Sequence, residues 1–176
     1  MMKWKSSTEK SILCHLTTNE TFTRKVLPFL KIKYFEGKEH QIVFDEIDKF
    51  VDKYSELPTK EAIVIQIDKR NDLNEELYKT TQDLVNGLSH EETDQKWLVD
   101  TTEQYCKDRA LHLAVLDGIS IIGGNDKDRN TTALPDILSD ALSVSFDMSV
   151  GHDYVDNAED RFAFYHKKEE RIPFDL

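Results

Sequence analysis

Residues 97–124, WLVDTTEQYCKDRALHLAVLDGISIIGG, decide the fold class of this chain. The stretch has no proline, and Gly118 is its one glycine before the pair that ends it. At a rise of about 1.5 Å per residue, a helix over this stretch would be roughly 40 Å long. Its first half mixes apolar and charged residues in an ordinary amphipathic pattern. The sequence therefore predicts one long helix.

The second half of this predicted helix is more apolar than the first. The residues that interrupt its apolar run between Ala110 and Ile122 are His112, Asp117, Gly118 and Ser120. The apolar surface is therefore wider than one core-facing stripe requires. Two interpretations stay open, because the surplus can be buried within its own domain or covered by a partner. His112 is interpreted as a core or interface histidine in either case.

A shorter helix is predicted to fold back on the long one. A polar turn, GGNDKDRNTT at 123–132, precedes LPDILSDALSVSF at 134–146, whose apolar residues recur at three and four positions. This spacing predicts an αα-hairpin. If the hairpin is an assembly surface, the predicted oligomer interface consists of Leu113, Leu116, Ile119, Leu138 and Leu142.

The composition narrows the classes of protein that fit. The 176 residues suit one domain or a domain with an appendage, and the net charge of −11 disfavours direct binding to a phosphate backbone. Cys14 and Cys106 are far apart in sequence, which is typical of reduced thiols in an intracellular protein. No apolar run approaches the roughly 18 residues of a membrane span. We therefore expect a soluble cytoplasmic protein without membrane contact.

The first 93 residues predict a small helical globular subdomain. A helix is expected to start near Ser6–Thr8, and Pro28 should interrupt a dense apolar segment that leads to a buried Tyr34 and Phe35. The most regular pattern lies after Lys38. It places Ile42, Val43, Ile47, Phe50, Val51 and Tyr54 on one helix face, with Glu46 among the charged residues opposite.

The segment after Pro58 is compatible with either a strand or a helix. Four of the six residues in AIVIQI, residues 62–67, are β-branched, which permits a strand. An isolated strand would have nothing to pair with, so a helix capped by Thr59 is favoured. Asn71 or Asp72 is predicted to cap the helix that follows.

The C-terminal residues 147–176 predict a linker and a linker helix. Acidic residues occur early in 153–171 and basic residues late, which follows the helix dipole. An aromatic stripe on this helix lacks an assured core of its own. The residues expected to dock on a partner are Tyr154, Ala158, Phe162 and Tyr165.

The sequence predicts no catalytic, cofactor-binding or metal site. No segment matches the phosphate-binding pattern G-x-x-x-x-G-K-[ST]. The acidic residues beside His90 and His152 are interpreted as helix starts rather than metal ligands. No serine, cysteine or threonine has a neighbour in sequence that would activate it as a nucleophile.

The order of several motifs resembles the N-terminal part of the DnaB-like hexameric replicative helicases of T-even-type phages. The motifs are FLKIKYFEG at 29–37, LPTKEAI at 57–63, DQKWLVDTTEQYCKDRAL at 94–111, LPDILSDALSVSFDMSVGHDYVD at 134–156 and RIPFDL at 171–176. The final third is the most specific portion. The resemblance covers nearly the whole chain.

This resemblance implies an all-α chain with three parts. These are a helical globular subdomain at 1–93, an αα-hairpin at 94–146, and a linker with a linker helix at 147–176. In that family the region forms a collar on a hexamer, its hairpin pairs with a neighbouring subunit, and the linker helix docks on the next motor domain. The charged extension at 1–7 is longer than the family pattern predicts.

The resemblance also implies the function of a longer parent protein. That parent would unwind DNA from 5′ to 3′ at the replication fork, and ATP and Mg would bind in a motor domain absent from this chain. Self-association, a primase and a helicase loader are the expected partners, DNA would be bound only through the motor domain, and the location would be the cytoplasm of the infected bacterium. Enzymatic activity of this chain alone is not expected. A free-standing helical adaptor or regulator acting through protein contacts is the alternative.

Overall fold

A computed structural model describes residues 6–89, 92–126 and 128–146. These residues form an all-α structure without strands, which confirms the predicted class. The α-helices are α1 (Ser6–Thr18), α2 (Glu20–Val26), α3 (Lys38–Tyr54), α4 (Lys60–Asp68), α5 (Glu75–Asn86), α6 (Gln95–Ile122) and α7 (Leu134–Leu142). Short 3-10 helices cover Leu27–Phe29, Ile32–Tyr34 and Thr131–Ala133.

Side-chain caps explain where several helices begin. Thr59 caps α4 and Asp94 caps α6, each accepting a hydrogen bond from a backbone N–H in the first turn. The helical interpretation of residues 62–67 is therefore confirmed. The predicted cap of α5 was wrong, because Asn74 accepts from Leu77 N at 2.8 Å. Asp72 instead pairs with Arg70 at 2.9 Å within the preceding turn.

The core lies among α1, α2, α3, α4, α5 and α6, with the connection between α2 and α3 inserted into it. Tyr34 and Phe35 of that connection are fully buried, as the sequence predicts. The largest fully buried side chains are Tyr34, Tyr105, Phe22, Phe35, Phe44, Ile12, Leu13, Leu16, Ile47, Ile63, Ile67 and Leu88. The first two predicted segments, 1–93 and 94–146, share this core, and the described residues 6–89, 92–126 and 128–146 form one compact unit.

The buried face of α3 differs from the prediction at two residues that were assigned to a face, and it also includes Phe44, which was not assigned. Tyr54 is half exposed, whereas Glu46, expected on the charged face, is buried. Arg70 explains the second difference, since its Nη1 donates to Glu46 Oε1 at 2.7 Å and to Asp45 Oδ2 at 2.8 Å. A carboxylate tolerates this position because the guanidinium that follows α4 compensates its charge.

The predicted hairpin is present, and its two helices are antiparallel. Leu134, at the start of α7, contacts α6 beside Gly118, where an added Cβ would lie 3.4 Å from Leu134 Cδ2. At the opposite end Ser145 Oγ donates to Glu103 Oε1 at 3.4 Å. Small buried residues line the contact between the helices, namely Ala110, Ala114, Gly118 and Ala141. Their small size allows α7 to approach α6 closely. As a single short helix, α7 covers only one side of α6.

Some predicted features lie outside the described residues. They include the linker helix at 153–171 with Tyr154, Ala158, Phe162 and Tyr165, and the segments around His90 and His152. Of the helices that the structure describes, none is long and apolar enough to cross a membrane.

Candidate interaction surface on the α6–α7 hairpin

The hairpin has a set of exposed large apolar side chains, which we name the apolar surface. Their exposed fractions range from 38% to 70%. The residues are Leu111, Val115, Leu116, Ile119 and Ile122 of α6 and Leu138 and Leu142 of α7. A concentration of this kind on two adjacent helices indicates a site for protein contact rather than scattered surface residues.

Helix geometry places the α6 part of the apolar surface on one side. At about 100° per residue, its members span an arc of roughly 140°, and the exposed His112 lies inside this arc. Ala114 and Ile121 point away from this arc and are buried. The arc is uncovered because α7 is short and occupies only the buried side of α6.

The structure separates the predicted interface residues into two groups. Leu116, Ile119, Leu138 and Leu142 lie on the apolar surface, whereas Leu113 is partly buried and packs against the core cluster. Leu113 faces a different side of α6 because it lies about 200° around the helix from Leu111. The pairing of these residues with another subunit stays a prediction.

Three further members of the apolar surface were missed in the sequence. They are Leu111, Val115 and Ile122, which are exposed on the same side of α6. Their spacing of four and then seven residues is a helical repeat that could have identified them.

Ion pairs hold the tip of the hairpin. Arg129 Nη1 lies 3.2 Å from Asp117 Oδ2, and Arg129 Nε lies 2.8 Å from Asp126 Oδ2. The hydrogen bond from Arg129 lowers the pKa of Asp126. These ion pairs join the turn to α6. They therefore help to hold the end of α6 that carries part of the apolar surface.

A buried polar cluster connects α6 to the rest of the domain. The Tyr105 hydroxyl lies 2.9 Å from Glu9 Oε1 and 2.7 Å from Tyr34 O. Arg109 donates from Nε to Tyr34 O at 2.6 Å and from Nη1 to Glu36 Oε1 at 2.5 Å. Glu36 N in turn donates to Glu9 Oε1 at 2.9 Å.

The cluster explains why this part of α6 is inaccessible. Burial, followed by the charge of Glu9, raises the pKa of Tyr105 well above its ordinary value, so the hydroxyl remains protonated and can donate. Arg109 is also buried, and its hydrogen bonds join α6 to Tyr34 and Glu36. These residues therefore position the hairpin and leave its other side for contact.

Cys106 shows no sign of catalytic activation. Both cysteines are buried, and burial, with the nearby Glu103 charge, raises the pKa of Cys106 to about 12. An activated thiol requires the opposite shift. Within residues 6–89, 92–126 and 128–146, no three His, Cys, Asp or Glu side chains are placed to hold a metal ion.

The raised pKa of Cys106 predicts lower stability at alkaline pH. Below its ordinary pKa of 9.0 the thiol is protonated in both states, and between 9.0 and about 12 only the folded chain keeps the proton. The free energy of unfolding should fall by about 1.4 kcal/mol for each pH unit in this window. Urea unfolding at several pH values should show this slope, and Cys106→Ala should reduce it. Equal slopes for parent and variant would contradict the prediction.

The amino-acid sequence is similar to that of a known protein. No family model matches the chain. Over 173 residues the chain is 32% identical to the "DnaB-like replicative helicase" of Enterobacteria phage T4. The chain is related to a DnaB-like replicative helicase. The resemblance predicted from the sequence is therefore confirmed.

The alignment with this DnaB-like helicase covers most of the chain but only part of the relative. It includes 94% of the chain, which spans only 36% of the length of the curated relative.

Proposed function

We propose that this chain is the N-terminal assembly domain of a DnaB-like replicative helicase. In this proposal the domain contributes to a hexamer collar, and its hairpin packs against that of a neighbouring subunit. The observation that supports it best is the apolar surface, which remains exposed although α6 is otherwise integrated into the core. The relationship to a replicative helicase supports a role in assembly for that surface.

The size of the apolar surface sets the expected strength of association. Completing the burial of a half-exposed leucine or isoleucine contributes about 1 kcal/mol, so the surface contributes roughly 7 kcal/mol in total. Association of two proteins costs about 4–15 kcal/mol in lost freedom of motion and ordering. The hairpin alone should therefore self-associate weakly. A stable ring would need further contacts from the parent protein.

The remaining functions belong to the longer parent in this proposal. Its motor domain would bind ATP and Mg, contact DNA and unwind it from 5′ to 3′ at the fork. The net charge of −11 supports an assembly role rather than DNA binding for the present chain. Primase and helicase loader would contact the collar, and residues 153–171 would dock on an adjacent motor domain. The expected location is the cytoplasm of the infected host.

The substitution Leu116→Glu tests the assembly proposal. Leu116 is 49% exposed, so glutamate fits without disturbing the core but places a charge in the proposed interface. We expect sedimentation velocity at high protein concentration to show smaller species than for the parent. Circular dichroism should show an unchanged helix content.

Ile65→Glu is the matched control. Ile65 is an exposed isoleucine on α4, away from the hairpin, with an exposed fraction of 53%. The same introduction of charge should leave self-association unchanged there. Equal mass distributions for parent, Leu116→Glu and Ile65→Glu would show that the hairpin is not the assembly surface.

A further inference from the structure

A cleft borders the side of α6 that lies opposite the exposed arc of its apolar residues. Its volume is about 210 Å³. Its floor is Ala110, Leu113 and Ala114 of α6, and one wall is Ile137 and Ala141 of α7 with Val144, which follows that helix. The cleft exists because the floor and wall include alanines, whose short side chains leave space beside the close contact of the helices.

The opposite wall of the cleft is cationic. It is formed by Lys31, Lys33 and Tyr34 of the connection between α2 and α3. Lys31 Nζ lies 5.8 Å from the centre of the Tyr34 ring. Both lysines are exposed, and neither has an ion-pair partner among the described residues. In a chain with a net charge of −11, this pair is available for an anionic ligand.

The acidic residues of the cleft do not cancel this charge. Asp117 is paired with Arg129 at 3.2 Å, which leaves Asp140 as a carboxylate on the α7 wall. The positive charges of the two lysines lie on the connection, and the negative charge of Asp140 lies on α7. A bound acidic group would therefore lie toward the connection.

The dimensions of the cleft indicate the size of the ligand. Sites for cofactors and drug-sized molecules usually enclose about 300–1,000 Å³, and this cleft is smaller. One large apolar side chain is a better match for its floor. The lysines would then contact acidic residues that flank this anchor.

We propose that this cleft binds a short acidic segment of a partner protein through one large apolar side chain and flanking carboxylates. The anchor would contact Leu113, Ile137 and Val144, and the carboxylates would contact Lys31 and Lys33. This site is separate from the apolar surface, so a partner could bind while the hairpins are paired. The proposal does not depend on the assembly function.

The test uses the full 176-residue chain and three blocked synthetic peptides. Their sequences are Asp-Glu-Phe-Asp-Glu, Asp-Glu-Ala-Asp-Glu and Lys-Lys-Phe-Lys-Lys. Backbone NMR titration should show saturable shifts at Ala110, Leu113 and Ala141 with the acidic phenylalanine peptide, with a dissociation constant on the order of 1 mM. The alanine and the basic peptides should each bind at least about tenfold more weakly, because one lacks the anchor and the other the charge.

Charge reversal separates this site from general electrostatic attraction. The double variant Lys31→Glu with Lys33→Glu should weaken binding of the acidic phenylalanine peptide at least about tenfold. The matched control, Lys69→Glu with Lys79→Glu, makes the same change in net charge at two exposed lysines away from the cleft and should bind like the parent.

Three results would overturn the proposal. The first is equal weakening in the two double variants, and the second is the absence of saturable shifts at the cleft. The third is a shift of the same resonances with protein concentration alone, which would make a second copy of this chain the occupant. Loss of self-association in Leu116→Glu would leave peptide binding unchanged, so the two proposals fail independently.

Discussion

Phe35→Ala should lower the free energy of unfolding by about 3–5 kcal/mol, which is among the largest effects expected for a single substitution in this chain. Phe35 is completely buried, and its ring stacks on Phe44 with centroids 4.9 Å apart. The centroid of the Phe35 ring also lies 6.3 Å from the centroid of the Tyr105 ring. Truncation would remove these contacts and leave a cavity where α3, α6 and the connection meet.

Urea unfolding followed by circular dichroism measures this loss. Tyr54→Ala is the matched control, since Tyr54 also contacts a neighbouring ring, Phe50, at 4.7 Å but is 49% exposed. We expect the control to lose no more than about 1 kcal/mol. If both variants lose the same stability, Phe35 does not connect the helices as described.

Arg109→Ala should lower the free energy of unfolding by about 3 kcal/mol. Arg109 is 5% exposed, and its guanidinium donates to Tyr34 O and to Glu36. Removal leaves the Tyr34 carbonyl without this donor and Glu36 without its ion-pair partner. Loss of one partner of a buried ionic cluster typically costs about 3–5 kcal/mol. The lower limit applies because Glu36 is half exposed and can be solvated.

Lys107→Ala is the control for Arg109→Ala on the same helix. Lys107 pairs with Glu103, but its side chain is 41% exposed, so its loss should cost less than about 1 kcal/mol. Arg109→Lys should recover only part of the loss, because an ammonium group cannot reproduce the planar donor geometry of the guanidinium. A loss of stability in Arg109→Ala as small as in Lys107→Ala would show that the buried polar cluster is not a structural support.

Local signals in the sequence were sufficient for most helices. Thr59 caps α4 and the regular apolar pattern after Lys38 forms α3, because capping and amphipathic spacing act within a few residues. The residue that caps α5 was harder to predict. Asn71, Asp72 and Asn74 are all competent caps, and the ion pair between Asp72 and Arg70 is not visible in the local pattern.

The candidate surface was predictable only in part. The surplus of apolar residues in α6 indicated that one side could remain uncovered, and Leu116 and Ile119 are indeed exposed. The pattern did not show which side that would be. With apolar residues nearly all around the second half of α6, helical periodicity cannot distinguish Leu113, which packs on the core, from Leu111, which does not.

The sequence by itself determined the all-α class, the hairpin, the burial of Tyr34 and Phe35, and the resemblance to replicative helicases. These properties depend on helix periodicity, breaks and motif order along the chain. Only the tertiary structure decided which side of α6 is exposed and which polar groups are buried together. Tyr105 meets Glu9 across 96 positions and Tyr34 across 71, and such contacts depend on helix packing rather than local sequence.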